Sequence, residues 1–186
     1  MIWDNNEDIK LIECENKSRI IQRHLNDCRD ERRPYVFITN TMTVKPLHRL
    51  LVPVSMLEEE TYKAEICTYL ARKTGAHIIL LQANDYGSHA RQNVNRIVTH
   101  IKAVSEKSGE NISYEVCIAR KDSFKLIQEA AERQRDFRHD LLILTASRDY
   151  GLDDILFGPP ERKAIQRALV PVMLINPRED LFSLCD

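Results

Sequence analysis

A chain of 186 residues has room for one full domain and something smaller. Its 27 basic and 28 acidic residues nearly cancel and form no long basic block, which argues against a dedicated nucleic-acid binder. With 43% apolar residues it can bury a sizeable core, yet no window nears the ~18–20 consecutive apolar residues of a membrane span, so no membrane insertion is expected.

The opening "MIWDNNEDIK" lacks the basic start and apolar run of a signal peptide. Five scattered cysteines, never in C-x-x-C spacing, read as reduced thiols of a cytoplasmic protein rather than a zinc site. "IQRHL" at Ile21 to Leu25 reappears as "IQRAL" at Ile165 to Leu169. Each is followed by a proline and a β-rich run, "PYVFITN" from Pro34 and "PVMLIN" from Pro171, with extra residues drawn from "NDCRDERR" in the first copy. Met1, Ile2 and Trp3 form a weaker echo of Leu142, Ile143 and Leu144. The repeat predicts that the chain opens with the last helix and strand of one domain and then carries a complete second one. A lone helix–strand pair cannot bury itself. The expectation is that Tyr35–Ile38 pairs with Val172–Ile175, within the chain as a pseudo-dimer or between two chains as a homodimer.

From His48 onward strands alternate with helices. "HRLLVPV" (His48 to Val54) is a strand, and Tyr62, Ile66, Tyr69 and Leu70 mark a helix that Gly75 ends. Glu58, Glu59 and Glu60 are expected to serve that helix's N-terminal turn. "HIILLQA" (His77 to Ala83) has the unbroken apolar character of a buried parallel strand. Val94, Ile97, Val98, Ile101 and Val104 form a helical stripe packed on the sheet, ended by Gly109. "ISYEVCIA" (Ile112 to Ala119) is a strand, followed by a helix capped by Asp122 or Ser123 that buries Phe124, Ile127 and Ala131. "ERQRDFRHD" (Glu132 to Asp140) reads as a solvated helix end. "DLLILTA" (Asp140 to Ala146) and "VPVMLIN" (Val170 to Asn176) are the fourth and fifth strands, with a helix over Glu161–Ala168 between them. The tail "REDLFSLCD" carries Leu181, Phe182 and Leu184, which suggests docking.

This alternation predicts an α/β fold with a doubly wound, parallel five-stranded sheet, Rossmann-like, plus the N-terminal helix–strand pair; right-handed crossovers leave a few strand orders, of which 3-2-1-4-5 is the one expected. The divisions are 1–46 for the partial repeat and linker, 47–177 for the complete domain and 178–186 for the tail. Ligands of such sheets bind beyond the carboxyl ends of the strands, so the loops after Val54, Ala83 and Ala146 are the place to look. Six histidines show no metal spacing, and Ser55, Ser123 and Ser147 sit in no G-x-S-x-G, so no catalytic residue is assigned.

"HRLLVPVS", "ARKTGAHIILLQ" and "DLLILTASRDYGLDDILFGPPERKAIQRALVPVMLINP" together resemble the universal stress protein family over about 130 residues, His48 to Pro177. "RRPYVFITNTMTVKPLHRLLVPVS" is similar to a junction between tandem domains of that family. The resemblance implies a nucleotide site at Pro53, Ser55, Ala146, Ser147, Asp149, Gly158 and Pro159. Family members that bind ATP carry G-x-x-G, nine residues, then glycine and a hydroxyl residue. Here Ala146 and Asp149 replace the first two glycines, the spacing is one short, Gly158 is retained and Pro159 replaces the hydroxyl. Ser55 stands for the family's aspartate after strand one. Carboxylates and prolines thus occupy ground a phosphate needs.

The expectation is a non-catalytic regulatory or binding protein of the stress response with a degenerate nucleotide site and no cofactor. One alternative is an ATP- or AMP-binding sensor in an altered pose, and another is the cytosolic regulatory domain of a membrane cation transporter. Nothing in the residues favours a hydrolase.

Overall fold

The computed structural model describes residues 8–147 and 159–177. Met1 to Trp3, Asp149, Gly158 and the tail's Leu181, Phe182 and Leu184 lie outside them. In chain order the elements are β1 (Lys10–Cys14), α1 (Ser18–Asp27), β2 (Tyr35–Thr39), β3 (Arg49–Val54) and a 3-10 turn (Glu58–Tyr62). Next come α2 (Lys63–Thr74), β4 (His77–Gln82), α3 (His89–Ser108), β5 (Tyr114–Ile118), α4 (Leu126–Glu132) and α5 (Gln134–Phe137). The series ends with β6 (Leu141–Thr145), α6 (Pro160–Arg167) and β7 (Val172–Ile175).

Both faces of the central strands are covered, which is why β3, β4, β6 and β7 read as mostly apolar runs. On β3, Leu51 belongs to the buried cluster that also holds Ile21 of α1, Ala130 of α4 and Ile165 of α6. Its neighbours Leu50 and Val52 pack on the other face with Leu70 of α2 and Ile97 of α3. Gly75 takes φ 71° and its N–H donates to the Ala71 carbonyl, so the left-handed residue stops α2 as expected.

Among the described residues the sheet has seven strands in the order β1-β2-β7-β6-β3-β4-β5. The expected five-stranded core of order 3-2-1-4-5 is there as β5-β4-β3-β6-β7, parallel throughout. The N-terminal unit is larger than a helix–strand pair, because β1 precedes α1 and runs parallel to β2. The strand ahead of α1 is therefore Lys10–Cys14, a correction to the expected helix–strand pair. It carries Lys10 and Glu13, charges that suit the outermost strand of a sheet and hide its apolar pattern.

β2 pairs antiparallel with β7, within one chain. Val36 lies opposite Met173, Tyr35 opposite Leu174, and Phe37 opposite Val172. Counted from Pro34 and Pro171, these pairs are related by a local two-fold axis through Val36 and Met173. The helices obey the same relation. Gln22 accepts from Arg162 (3.4 Å), and Gln166 donates to Ser18 (2.8 Å), each glutamine meeting the residue four positions before its counterpart. β7 therefore has a neighbour on each side. The segment after β2 closes the other face, where Val44 and buried Leu47 join the cluster around Val36 and Met173.

The extra residues of the first copy form a loop moored to β7's end. Asn176, 7% exposed, donates from Nδ2 to the carbonyls of Cys28 and Glu31, both at 2.8 Å, and accepts from the Tyr35 hydroxyl at 3.3 Å. Burial works against the Glu31 charge, but hydrogen bonds from Arg33 and Lys10 hold its carboxyl at about 2. Asn176→Leu strands these polar groups and is expected to cost about 2–3 kcal/mol in urea unfolding. A loss below about 0.5 kcal/mol would mean that the loop does not depend on this bracket.

Candidate functional site

β3 lies where the chain's winding reverses, with β4 on one side and β6 on the other. Beyond the carboxyl ends of β3 and β6 opens a cavity of about 390 Å³. Pro53, Ser55, Ala146 and Ser147 all line it, so four of the residues expected at a site do converge. Pro159 stands beside it as the residue before α6, its carbonyl accepting from Arg162 N–H at 3.1 Å. Leu57, Leu126, Ile127 and Leu144 give the cavity an apolar wall.

The floor is a buried polar chain. The Ser55 hydroxyl donates to Glu60 Oε1 at 2.7 Å, and Lys63 Nζ contacts both the other oxygen of Glu60 and the Pro53 carbonyl. Glu60 is 6% and Lys63 1% exposed. Charges buried this deeply persist only when paired. Glu58, Glu59 and Glu60 form the first turn of the 3-10 helix that leads into α2, as the sequence suggested, but Glu60 has a further, buried role. The 3-10 turn folds it back under β3, where it meets Ser55. Asn93 of α3 fixes the same loop by donating to the carbonyls of Ser55 (3.0 Å) and Leu57 (2.8 Å).

On the β6 side, Ala146 N–H is used by the Ile175 carbonyl at 2.9 Å. Ser147 N–H donates to Glu161 Oε1, and Glu161, in the first turn of α6, is 2% exposed. A carboxylate from the first turn of α6 thus takes the Ser147 amide. Pro159 and Pro160 offer no N–H there. Glu60, Lys63 and Glu161 are the residues sequence reasoning left without these roles. Of the three, only Glu161 carried a signal, as an acid just inside a helix that follows the strand-four loop.

Three loops at this end are tied together. Ser123 Oγ accepts from Met56 N–H at 2.9 Å and donates to Asp85, which also accepts from Ser123 N–H at 2.8 Å. Ser123 is thereby a loop tie and not a helix cap. Helix α4 starts only at Leu126, so Phe124 falls in the preceding turn and is 84% exposed, against the expectation that it is buried.

A doubly wound sheet with its pocket at the switch point defines a Rossmann-like α/β protein, and the comparisons narrow the fold. No family model and no curated protein matches the sequence. Solved structures do match. A universal stress protein from Archaeoglobus fulgidus DSM 4304 superimposes with a TM-score of 0.66 at 17% identity, over 93% of this chain and 62% of that one. A universal stress protein in complex with cAMP gives 0.55 at 12%, over 72% of this chain and 100% of that one. A Pseudomonas aeruginosa PAO1 protein gives 0.55 at 12%, over 94% and 64%. The chain spans under two thirds of the length of the first and third of these. The neighbours are mostly universal stress protein structures, and the chain has their fold.

Proposed function

We propose that this chain is a non-catalytic regulatory module of the universal stress type with a degenerate nucleotide site, in which a carboxylate of the chain itself takes the place of a bound anion. The observation that carries the reading is the buried Glu161 carboxylate bonded to Ser147 N–H, an anion already seated where a phosphate would go. A phosphate brought to ~4 Å from that charge meets a repulsion of about 4 kcal/mol at an effective dielectric near ~20. The two prolines withdraw the amides that would offset it, and Ser55, whose proton goes to Glu60, offers a ribose no carboxylate where the family's aspartate would. The residues present do not fit a triphosphate.

In this reading the N-terminal unit is a partial second copy that supplies, within one chain, the strand partner that β7 requires. No helix among the described residues is long and apolar enough to cross a membrane. Stress-response regulation in the cytoplasm is the setting we propose.

Millimolar ATP or AMP is expected to leave the melting temperature unchanged. Binding at about a hundred times the dissociation constant adds ~2.7 kcal/mol, a rise of several degrees. Such a rise with ATP sinks the proposal. A second reading, an adenine-nucleotide binder in an altered pose, draws on the open cavity and on the neighbour solved with cAMP, a ligand with a single phosphate charge. In that case cAMP raises the melting temperature and ATP does not.

A further inference from the structure

Strand β5 ends the sheet, and among the described residues it has one neighbour, β4. Ser113 C=O accepts from Ile78 N–H, and Ala119 N–H donates to Gln82 C=O. Alternate residues of a strand address the same neighbour. The N–H and C=O of Tyr114, Val116 and Ile118 therefore point away from the sheet. Beside them the side chains of Val116 and Ile118 are 45% and 66% exposed.

Natural edges are usually blunted by a charge. The one charged residue of β5, Glu115, is turned to Arg49 (2.9 Å) and His77 (3.5 Å) and guards nothing. The apolar surface continues past the strand. Met56, Leu57, Tyr86 and Phe124 are also exposed, and they lie on the loops that Ser123 and Asp85 tie together. Six of the seven large apolar side chains exposed among the described residues thus gather at one edge and rim, the mark of an interaction surface.

The chain leaving β5 is held in place. Arg120 and Lys121 N–H groups donate to the Glu129 carboxylate at 3.0 and 2.8 Å, and the Lys121 carbonyl accepts from Asn84. This fixed turn presents Arg120, Lys121 and Lys125, all exposed and without a side-chain ion pair among the described residues. Asp122, the acid among them, accepts from Lys125 N–H.

We propose that the edge of β5 receives an extended segment of a partner protein, added parallel to it, with apolar residues at alternate positions followed by acidic ones. The outward N–H and C=O groups supply the ladder, Val116 and Ile118 receive the apolar residues, and the three cations receive the acidic end. The strand edge and its three cations do not line the cavity, and the two share only Leu57, Ser123 and Phe124 at the rim, so the ladder and the charge preference are read independently of what the cavity binds.

The test uses a fluorescein-labelled peptide of alternating threonine and valine ending in three glutamates, with a control ending in three lysines. Anisotropy and amide NMR are read on the full chain. The acidic peptide is expected to bind and to shift and protect the Val116 and Ile118 amides, with the lysine peptide about tenfold weaker. Lys121→Glu should narrow or reverse that preference. Val116→Pro removes an N–H that the β4 ladder does not use, and should abolish binding with the melting curve retained. Absence of binding, equal affinity for both peptides, or shifts confined to other strands would overturn the proposal. So would concentration-dependent shifts of these amides without peptide, which would assign the edge to a second copy of the chain.

Discussion

Glu60→Ala is expected to lower the unfolding free energy by about 3–5 kcal/mol, the range for breaking a buried ion pair from one side. The loss is large because of what stays behind. Lys63, 1% exposed, would keep its ammonium group against the cavity wall with the Pro53 carbonyl as its remaining partner here. Ser55 would lose its 2.7 Å acceptor at the same time. Glu60→Ala combined with Lys63→Met should recover most of the loss, since replacing both charges with apolar groups is often nearly neutral. Urea unfolding of the two single variants and the double variant measures the coupling. A single-variant loss below about 1 kcal/mol, or a double variant as unstable as the worse single one, would show that water in the cavity already does what Glu60 is assigned. The same set bears on function. The pair closes the floor of the cavity beneath Ser55, so a variant lacking it would widen the space a ligand can reach.

The core strands β3, β4, β6 and β7 are legible in the sequence because each is buried on both faces and carries its apolar residues without interruption, whereas β5, with Glu115 inside it and Val116 and Ile118 exposed, is legible from its place between two helices. The repeat of "IQR" pointed to the strand that meets β7, while the register, with Val36 and Met173 at its centre two residues after each proline, came from the structure. β1 escaped notice for the opposite reason. As an outermost strand it mixes Leu11 and Ile12 with Lys10 and Glu13, so neither period stands out. Phe124 looked like part of a helix face, but the turn fixed by Asp122 and Ser123 delays the helix by two residues and leaves the ring in solvent. Glu60 and Lys63 could not be read as a pair under β3 from spacing alone, because three residues apart on a helix normally means an exposed neighbour. Only the fold of the 3-10 turn turns both inward.

Segment Glu132 to Asp140 was expected to be a solvated helix end, and the structure makes it the origin of a pH dependence. Arg133 bonds Glu129 and Asp136, Phe137 is buried, and His139 is 1% exposed with no hydrogen-bond partner at Nδ1. Burial pushes the His139 imidazole down to about 4, Asp140 opposing the shift and the Arg49 guanidinium adding to it. Above pH ~6.5 the ring is neutral in both folded and unfolded chains, and it contributes nothing to a pH slope. As the pH falls below ~6.5 the unfolded chain takes up a proton that the native chain refuses until about 4. Stability is therefore lost through that window, by about 3 kcal/mol in all, and the loss from this group stops once the native ring protonates. Glu31 acts in a lower window. Its stabilisation is present above the ordinary carboxylate value and fades only as the pH drops toward about 2, so the two groups separate on the pH axis. Urea midpoints measured from pH 7 to pH 4.5 should fall steadily for the native sequence and stay nearly level for His139→Leu. If both proteins decline in parallel, another group carries the dependence and His139 is solvated enough in the native state to titrate normally.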